Sequence, residues 1–216
     1  YAAMAKQNDL SAPTCNDCHG NHGAAPPGVG AVANVCGTCH TVFATKFALS
    51  THSQIFDRGC VECHNNHEIV QPTDAMLGTG EGALCANCHS EGDNGYKAAT
   101  SMRSGIETLK AAISHSEEQV AAAENAGIEM GDQVLELREA NNHLTLARTE
   151  MHAFDPATVQ TVLDEGLGLT TKVDASAAAA QEEISFRKTG LAISLGAILL
   201  VVVALQLKIR TLHSRA

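Results

Sequence analysis

The sequence of 216 residues contains no tryptophan, and its aromatic residues are limited to two tyrosines and five phenylalanines. Aromatic side chains normally supply much of the area that a protein core buries. Because 44% of the residues are nevertheless hydrophobic, the composition indicates that another large apolar body fills part of the interior. The length excludes a large multidomain enzyme and allows one or two small domains.

Basic residues are also scarce. The chain has 14 Lys and Arg residues against 24 Asp and Glu residues, which gives a formal net charge of −10. Proteins that bind nucleic acids need a basic surface to neutralise phosphates. We therefore exclude nucleic acid as a partner.

All eight cysteines lie in four copies of one pattern, Cys-x-x-Cys-His. This pattern is the attachment signature of c-type haem. Two thiols one helical turn apart reach the two vinyl groups of one porphyrin and form thioethers, and the adjacent histidine becomes an axial ligand of the iron. The sequence therefore predicts four covalently bound haems, attached in order through Cys15 and Cys18, Cys36 and Cys39, Cys60 and Cys63, and Cys85 and Cys88, with His19, His40, His64 and His89 as proximal iron ligands.

Three other chemistries use paired cysteines. Two Cys-x-x-Cys pairs can hold a structural zinc ion, one pair can act as a thioredoxin-like dithiol, and cysteines of an exported domain can form disulfides. None of these explains a histidine directly after every pair, so covalent haem is the preferred interpretation.

On these motifs, the chain resembles a tetrahaem member of the multihaem c-type cytochromes over about residues 10–95. Two motifs extend to Cys-x-x-Cys-His-x-x-His and add His22 and His67, whereas the other two have Phe43 and Gly92 at the matching places. The extension is similar to that of closely packed haem pairs in bacterial multihaem cytochromes, where the second histidine is the distal ligand of a neighbouring haem. The alternation favours a duplicated dihaem module, at about 11–49 and 50–98.

A haem with an occupied sixth coordination position carries electrons, whereas an open position allows substrate chemistry. Near the motifs, His22, His52 and His67 offer three distal ligands for four irons. The position of His52, eight residues before Cys60, resembles that of distal histidines in related multihaem proteins.

The fourth distal ligand is expected from the helical region. His152 is preferred because it lies just before Asp155-Pro156, where one helix should end and another begin. The segment around it also looks like the helical tails of other multihaem cytochromes. His143 is the alternative, and a methionine in a loop, Met4 or Met76, or an open site comes after it.

Apolar residues at spacings of three and four predict a helical hairpin after the motifs. A third helix is expected to begin at Pro156 and to be loosened by Gly166 and Gly168. The stripes are Met102, Ile106, Leu109, Ile113, Val120 and Ala123 for the first helix, Val134, Leu137, Ala140, Leu144, Ala147 and Met151 for the second, and Val173, Ala177, Ala180 and Ile184 for the third. Methionines on or near these stripes, including Met130, are expected to be core residues.

Residues 190–207 carry no charge and, at about 1.5 Å per residue, form a helix of roughly 27 Å, enough to cross a bilayer. The predicted fold is therefore mostly α, with a loop-rich haem domain. Its parts are a tetrahaem cytochrome c domain at residues 1–98, a helical hairpin and stalk at 99–186, a transmembrane anchor at 187–209 and a basic cytoplasmic tail at 210–216.

Haem attachment requires thiols presented outside the reducing cytosol, so we expect the haem domain in the periplasm, a single pass through the bacterial inner membrane, and removal of an export signal before Tyr1. The expected function is electron transfer as a subunit of a larger respiratory complex, without a catalytic site of its own. The alternatives are a tetrahaem quinol dehydrogenase that feeds a periplasmic reductase, although such cytochromes carry their anchor at the N-terminus, and a subunit of an extracellular haem filament. Because residues 1–98 hold four basic and nine acidic side chains, we expect a redox partner with a basic docking face.

Overall fold

The computed structural model describes Met4, residues 12–22 and residues 32–214, and this part of the chain is mostly helical, as predicted, with no β-strand. Short 3-10 turns lie at Thr51–Gln54, Asp74–Met76, Cys85–Asn87 and Met151–Ala153. The α-helices are α1 (Cys15–His19), α2 (Val32–Gly37), α3 (Thr41–Ala48), α4 (Val61–His64), α5 (Asn94–Asn125), α6 (Gly131–Glu150) and α7 (Pro156–His213).

The cysteine motifs lie in residues 12–22 and 32–93, called here the motif segment, whose helices have at most eight residues. A single Leu77 side chain from this segment is buried in the same apolar cluster as Ile106 and Leu144 of the long helices, and Cys85 packs against that cluster. The motif segment is therefore held against one end of the helical region.

The three long helices α5, α6 and α7 form a bundle whose apolar stripes face inward. All six stripe residues predicted for α5 and all four predicted for α7 are buried, and in the α6 stripe only Val134 and Met151 remain partly exposed. Full burial of a Leu or Ile side chain contributes about 1.5–3 kcal/mol each, so these stripes supply most of the stability of the bundle.

Capping aspartates define the first residues of two long helices, α5 and α7. Asp93 caps α5 by accepting a hydrogen bond from the Tyr96 amide. Asp155 caps α7 through the Ala157 amide, and Pro156 follows at the first helical position. A carboxylate at this position satisfies amide groups that have no partner inside the helix, and the observed start of α7 is the one predicted from Asp155-Pro156.

Helix α7, the third of the long helices, is one unbroken helix of 58 residues that continues through Gly166 and Gly168. Gly166 is buried, and a Cβ atom there would lie 2.8 Å from a Leu109 methyl group, so the glycine allows α7 to approach α5 closely rather than loosening the helix. The predicted stalk and anchor are thus parts of one helix.

The C-terminal part of α7 is a candidate membrane span. It contains an 18-residue window with a mean hydropathy of 2.5, none of which is buried. A soluble core helix of this composition would be covered by other parts of the chain, and this one is not.

Candidate haem site

Each cysteine motif forms a tight turn that places its histidine beside its first cysteine. In the second, third and fourth motifs, the amide of His40, His64 or His89 donates a hydrogen bond to the carbonyl of the first cysteine, at 2.9, 3.0 and 2.9 Å respectively. The first motif is itself the short helix α1. Side chains three and four positions apart in a helical turn share one face, so this backbone suits attachment of both cysteines and the histidine to one porphyrin.

Three pairs of histidine rings have their centres 6.0 to 6.2 Å apart. The ring centres of His64 and His152 are 6.2 Å apart with planes inclined by 15°. Those of His19 and His67 are 6.0 Å apart at 20°. The rings of His52 and His89 are also 6.0 Å apart but nearly perpendicular, at 86°. In each pair, one histidine belongs to a cysteine motif and the other, His152, His67 or His52, is a predicted distal ligand.

The spacing of these pairs fits an iron atom held between two imidazoles. A metal–nitrogen bond is about 2.0–2.1 Å long, and the ligating nitrogen lies about 1.1 Å from its ring centre, so two rings on opposite sides of one iron have centres roughly 6 Å apart. The donor set is also the one that bis-histidine haem requires.

Apolar side chains around the motifs provide a second test of fit. Val42, Leu49, Ile55 and Val70 are 58%, 76%, 65% and 65% exposed in the polypeptide alone. Apolar side chains of this kind are compatible with a large apolar cofactor beside the motifs, as the shortage of aromatic residues also indicates.

Burial lowers the pKa of three of the paired histidines. Desolvation is the main cause for His52, His64 and His152, and the nearby charges of His89 and His152 lower the pKa of His52 and His64 further. A lowered pKa favours the neutral imidazole, which is the form that ligates a metal.

The two distal candidates differ in their own hydrogen bonding. His152 Nδ1 lies 3.2 Å from the Thr149 carbonyl oxygen, an outer hydrogen bond of the type that orients metal-bound histidines. His52 Nδ1 is buried without a hydrogen-bond partner.

Phenylalanines hold both of these distal candidates in place, and sequence reasoning did not identify them as part of the site. Phe43 packs edge-on against His152 with ring centres 5.0 Å apart. Phe154 lies 4.1 Å from His52 and has a left-handed backbone with φ of 54°, a conformation uncommon for a bulky residue. One feature of the sequence could have indicated this role: Phe43 occupies the position that a histidine has in the extended motifs.

Gly95 is a further site residue that the sequence did not single out. A Cβ atom at this position would overlap the ring of His89. The first turn of α5 therefore needs glycine to let the His89 imidazole lie against its backbone.

Ion pairs connect the motif segment to the bundle beside the histidines. Arg148 donates two hydrogen bonds of 2.8 Å to Asp74, and Lys110 Nζ lies 2.9 Å from the same carboxylate. Lys46 of α3 lies 2.7 Å from Glu150 at the end of α6. These contacts fix the motif segment relative to His152.

The remaining histidines do not join a described pair. His143, the alternative fourth ligand, lies in the bundle between Glu139 and Glu165, with its Nδ1 3.4 Å from a Glu165 oxygen. His115 is exposed on α5, as predicted from its position off the stripe, and His22 is also exposed. His40 lies 6.1 Å from Phe43.

The methionines behave mostly as the helical patterns predict. Met102 and Met130 are buried in the bundle, and Met151 packs against the apolar cluster. Met76 is half-buried in a 3-10 turn, and Met4 is exposed. The ligand roles of the eight cysteines and eight histidines stay predictions.

None of the eight cysteines forms a disulfide. Within residues 12–22 and 32–214, no three Cys, His, Asp or Glu side chains converge as a structural zinc site requires.

The doubled CXXCH motif family matches residues 52–94, which contain the third and fourth motifs and about a fifth of the chain. No curated protein and no solved structure gives a significant match. The doubled motif indicates a multihaem c-type cytochrome with covalently bound haem iron, and this class of protein transfers electrons.

Proposed function

We propose that the chain is a tetrahaem, membrane-anchored electron-transfer subunit of a bacterial respiratory complex. The residues of its four motifs would hold four haems through eight thioethers, and eight histidines would occupy both axial positions of every iron. Bound haem iron supplies one-electron redox chemistry. The chain's own part is to set the spacing, ligation and burial of the haems.

One observation carries this proposal: three histidine pairs have ring centres 6.0 to 6.2 Å apart. The two histidines of each pair would hold one haem iron between them. His22 and His40 would remain for the haem of the second motif, so the chain itself would supply two histidines for every iron and leave none open to a substrate.

The membrane helix supports a location at the bacterial inner membrane with the haem domain in the periplasm. Thiols destined for haem attachment must avoid the reducing cytosol, whereas the basic Lys208 and Arg210 follow the apolar window. Arg187 and Lys188 precede the window on its other side, so the charge bias is weak by itself, and the requirement of haem attachment decides the proposed orientation. The C-terminal residues 215–216, which include Arg215 of the predicted tail, lie outside the described residues.

The length of α7 argues against direct quinol oxidation by this chain alone. From Pro156 to residue 189, the helix has 34 residues, or roughly 50 Å at about 1.5 Å per residue. His152 and Phe154 lie just before the start of α7, at the end opposite the apolar window. Electron tunnelling rates fall exponentially with distance. A quinol at the bilayer surface would therefore be too far from a haem ligated by His152 to reduce it directly.

The carboxylates closest in sequence to the apolar window do not form a quinol site either. Glu182 and Glu183 are both exposed, and Glu183 pairs with Arg187 one turn away. Such pairs are typical of a solvated helix face. A free filament is also disfavoured, because a membrane anchor on every subunit would hold the subunits at the bilayer.

A pyridine haemochrome assay of the detergent-purified chain, combined with visible and EPR spectra, tests the proposal. We expect four haems c per chain, all low-spin as isolated. A lower haem count, or a substantial high-spin fraction, would contradict tetrahaem electron transfer with fully occupied sites.

Purification in mild detergent tests membership of a complex. We expect stoichiometric membrane subunits to co-purify and the purified chain alone to remain oxidised with a menaquinol analogue. Rapid reduction by that analogue would replace the proposal with the quinol dehydrogenase, and fibres in electron micrographs would replace it with the filament.

The acidic motif region supports a basic docking face on a soluble partner. Residues 1–98 have four basic and nine acidic side chains, so the association rate should fall as ionic strength rises. A rate that does not change with salt would instead indicate a permanent membrane neighbour.

A further inference from the structure

We propose a specific axial pairing: His152 with His64, His52 with His89, and His67 with His19. This pairing rests on the proposed function, since it assumes that haem is attached at each motif. It assigns the distal ligand of the third haem to the helical bundle and not to the motif segment.

The contacts around His152 carry the first assignment. Its ring is nearly parallel to that of His64, with centres 6.2 Å apart, and the Thr149 carbonyl and the Phe43 ring fix its orientation. His143, which lies nine positions earlier on α6, is placed between two glutamates instead. The haem of Cys60 and Cys63 would therefore be clamped between α4 and the connection from α6 to α7.

The second assignment rests on a different arrangement. His52 and His89 are nearly perpendicular, at 86°, and His52 is held between Phe56, at 5.3 Å, and Phe154, at 4.1 Å. Phe154 belongs to the same connection between α6 and α7 as His152. That connection therefore supports the distal ligands of both the third and the fourth haem.

The third assignment joins the two halves of the motif segment. The ring centre of His67, the extension of the third motif, lies 6.0 Å from that of His19 in the first motif. Of the eight predicted ligands, His22 and His40 remain, and they would serve the second haem. In this arrangement, each extended motif supplies a distal ligand to a different motif's haem.

The ring planes give the pairing a spectroscopic signature. Nearly parallel axial imidazoles give a rhombic low-spin EPR signal, whereas perpendicular ones give a signal dominated by one large g value. The planes at 15° and 20° predict two rhombic signals, and the planes at 86° predict one signal of the large-g type.

The test compares His152→Ala with His143→Ala in the full-length protein in detergent. We expect His152→Ala to keep four haems, convert one of them to high-spin and remove one rhombic signal, while the large-g signal and the His143→Ala spectrum stay unchanged. An all-low-spin His152→Ala protein, or loss of the large-g signal, would overturn the pairing.

A second comparison identifies which haem His152 serves. In a Cys60→Ala/Cys63→Ala protein, which lacks the third attachment site, adding His152→Ala should produce no high-spin haem. High-spin haem in that triple variant would show that His152 serves another motif.

A ligand-preserving variant keeps the test decisive if removal of His152 prevents folding. His152→Met should leave four low-spin haems and raise the reduction potential of one, because thioether ligation raises haem potentials, whereas His143→Met should shift none. Four unchanged potentials in His152→Met would refute the assignment. A wild-type count below four haems would instead refute the proposed function, so the two failures are distinguishable.

Discussion

Arg148 and Asp74 form a two-pronged ion pair, with both nitrogen–oxygen distances at 2.8 Å, that ties the motif segment to the end of α6. The Asp74 side chain is 11% exposed and that of Arg148 is 41% exposed. Four residues after Arg148 comes His152, so this pair positions the motif segment against the bundle at the place where the proposed third haem is ligated.

Asp74→Asn should lower the stability of the folded protein. The substitution weakens two charge-assisted hydrogen bonds and removes the ion pair with Lys110, and we expect the free energy of unfolding to fall by about 1–3 kcal/mol. Denaturant titration monitored by far-UV circular dichroism measures this change.

The control for Asp74→Asn is Glu62→Gln, which removes a similar two-pronged pair with Arg58 on the exposed surface. Exposed pairs contribute little to stability, so the control should lie close to wild type. An equal loss in both variants would mean that the Asp74 pair has no special structural role.

The same carboxylate predicts a pH dependence of stability. Hydrogen bonds from Arg148 are the main cause that lowers the pKa of Asp74 from 3.8 to about 2, and Lys110 adds to the effect. Because the folded-state pKa is depressed, the contribution of Asp74 is complete above about pH 4 and is lost as the pH falls through 2.

Comparing wild type with Asp74→Asn isolates this contribution from other carboxylates. The difference in unfolding free energy between the two proteins should be constant near neutral pH and shrink steadily below about pH 4. A difference that persists unchanged at pH 2 would contradict the assigned pKa.

Close packing between α5 and α7 predicts opposite effects for two neighbouring glycines. A Cβ atom at Gly166 would lie 2.8 and 3.1 Å from the Leu109 methyl groups, whereas one at Gly168 would meet nothing within 4 Å. Gly166→Ala should therefore destabilise the bundle by about 1–3 kcal/mol, and Gly168→Ala should stabilise it by about 0.5–1 kcal/mol.

Thermal unfolding of both variants measures the contrast, with the haem content checked to be equal. If both alanines stabilised the protein, the helices would not approach as closely at Gly166 as the structure has them.

The bundle could be predicted from the sequence because each long helix repeats its apolar residues over many turns. Ile106, Leu109 and Val173, for example, are fully buried where the stripe predicted them. Periodicity reports which side of a helix faces inward, and that information is local. Likewise, Asp155-Pro156 carries its own start signal for α7.

Pairs formed between distant segments could not be predicted in the same way. His64 and His152 are 88 positions apart in the sequence, and no periodicity connects a short turn to a helix end. Counting the histidines available as ligands pointed to the helical region, and His152 was chosen there. Its partner, however, depends on the contacts of Asp74, Lys46 and Leu77 that hold the motif segment against the bundle. The role of Phe154 was hidden for the same reason, because its contact with His52 joins two segments.

The close contact between Gly95 and His89 provides a last prediction. Gly95→Ala would place a methyl group in the space of the His89 ring, so the imidazole must tilt or move away from α5. Under the proposed function, we expect four haems to remain attached and only one, the fourth, to change its EPR signal and reduction potential. The affected signal should be the large-g one, since His52 and His89 are the perpendicular pair. Gly131→Ala is the matched control, because a Cβ atom at the start of α6 meets nothing within 4 Å. A Gly95→Ala protein whose large-g signal and potentials equal those of Gly131→Ala would show that the His89 ring does not rest on the α5 backbone.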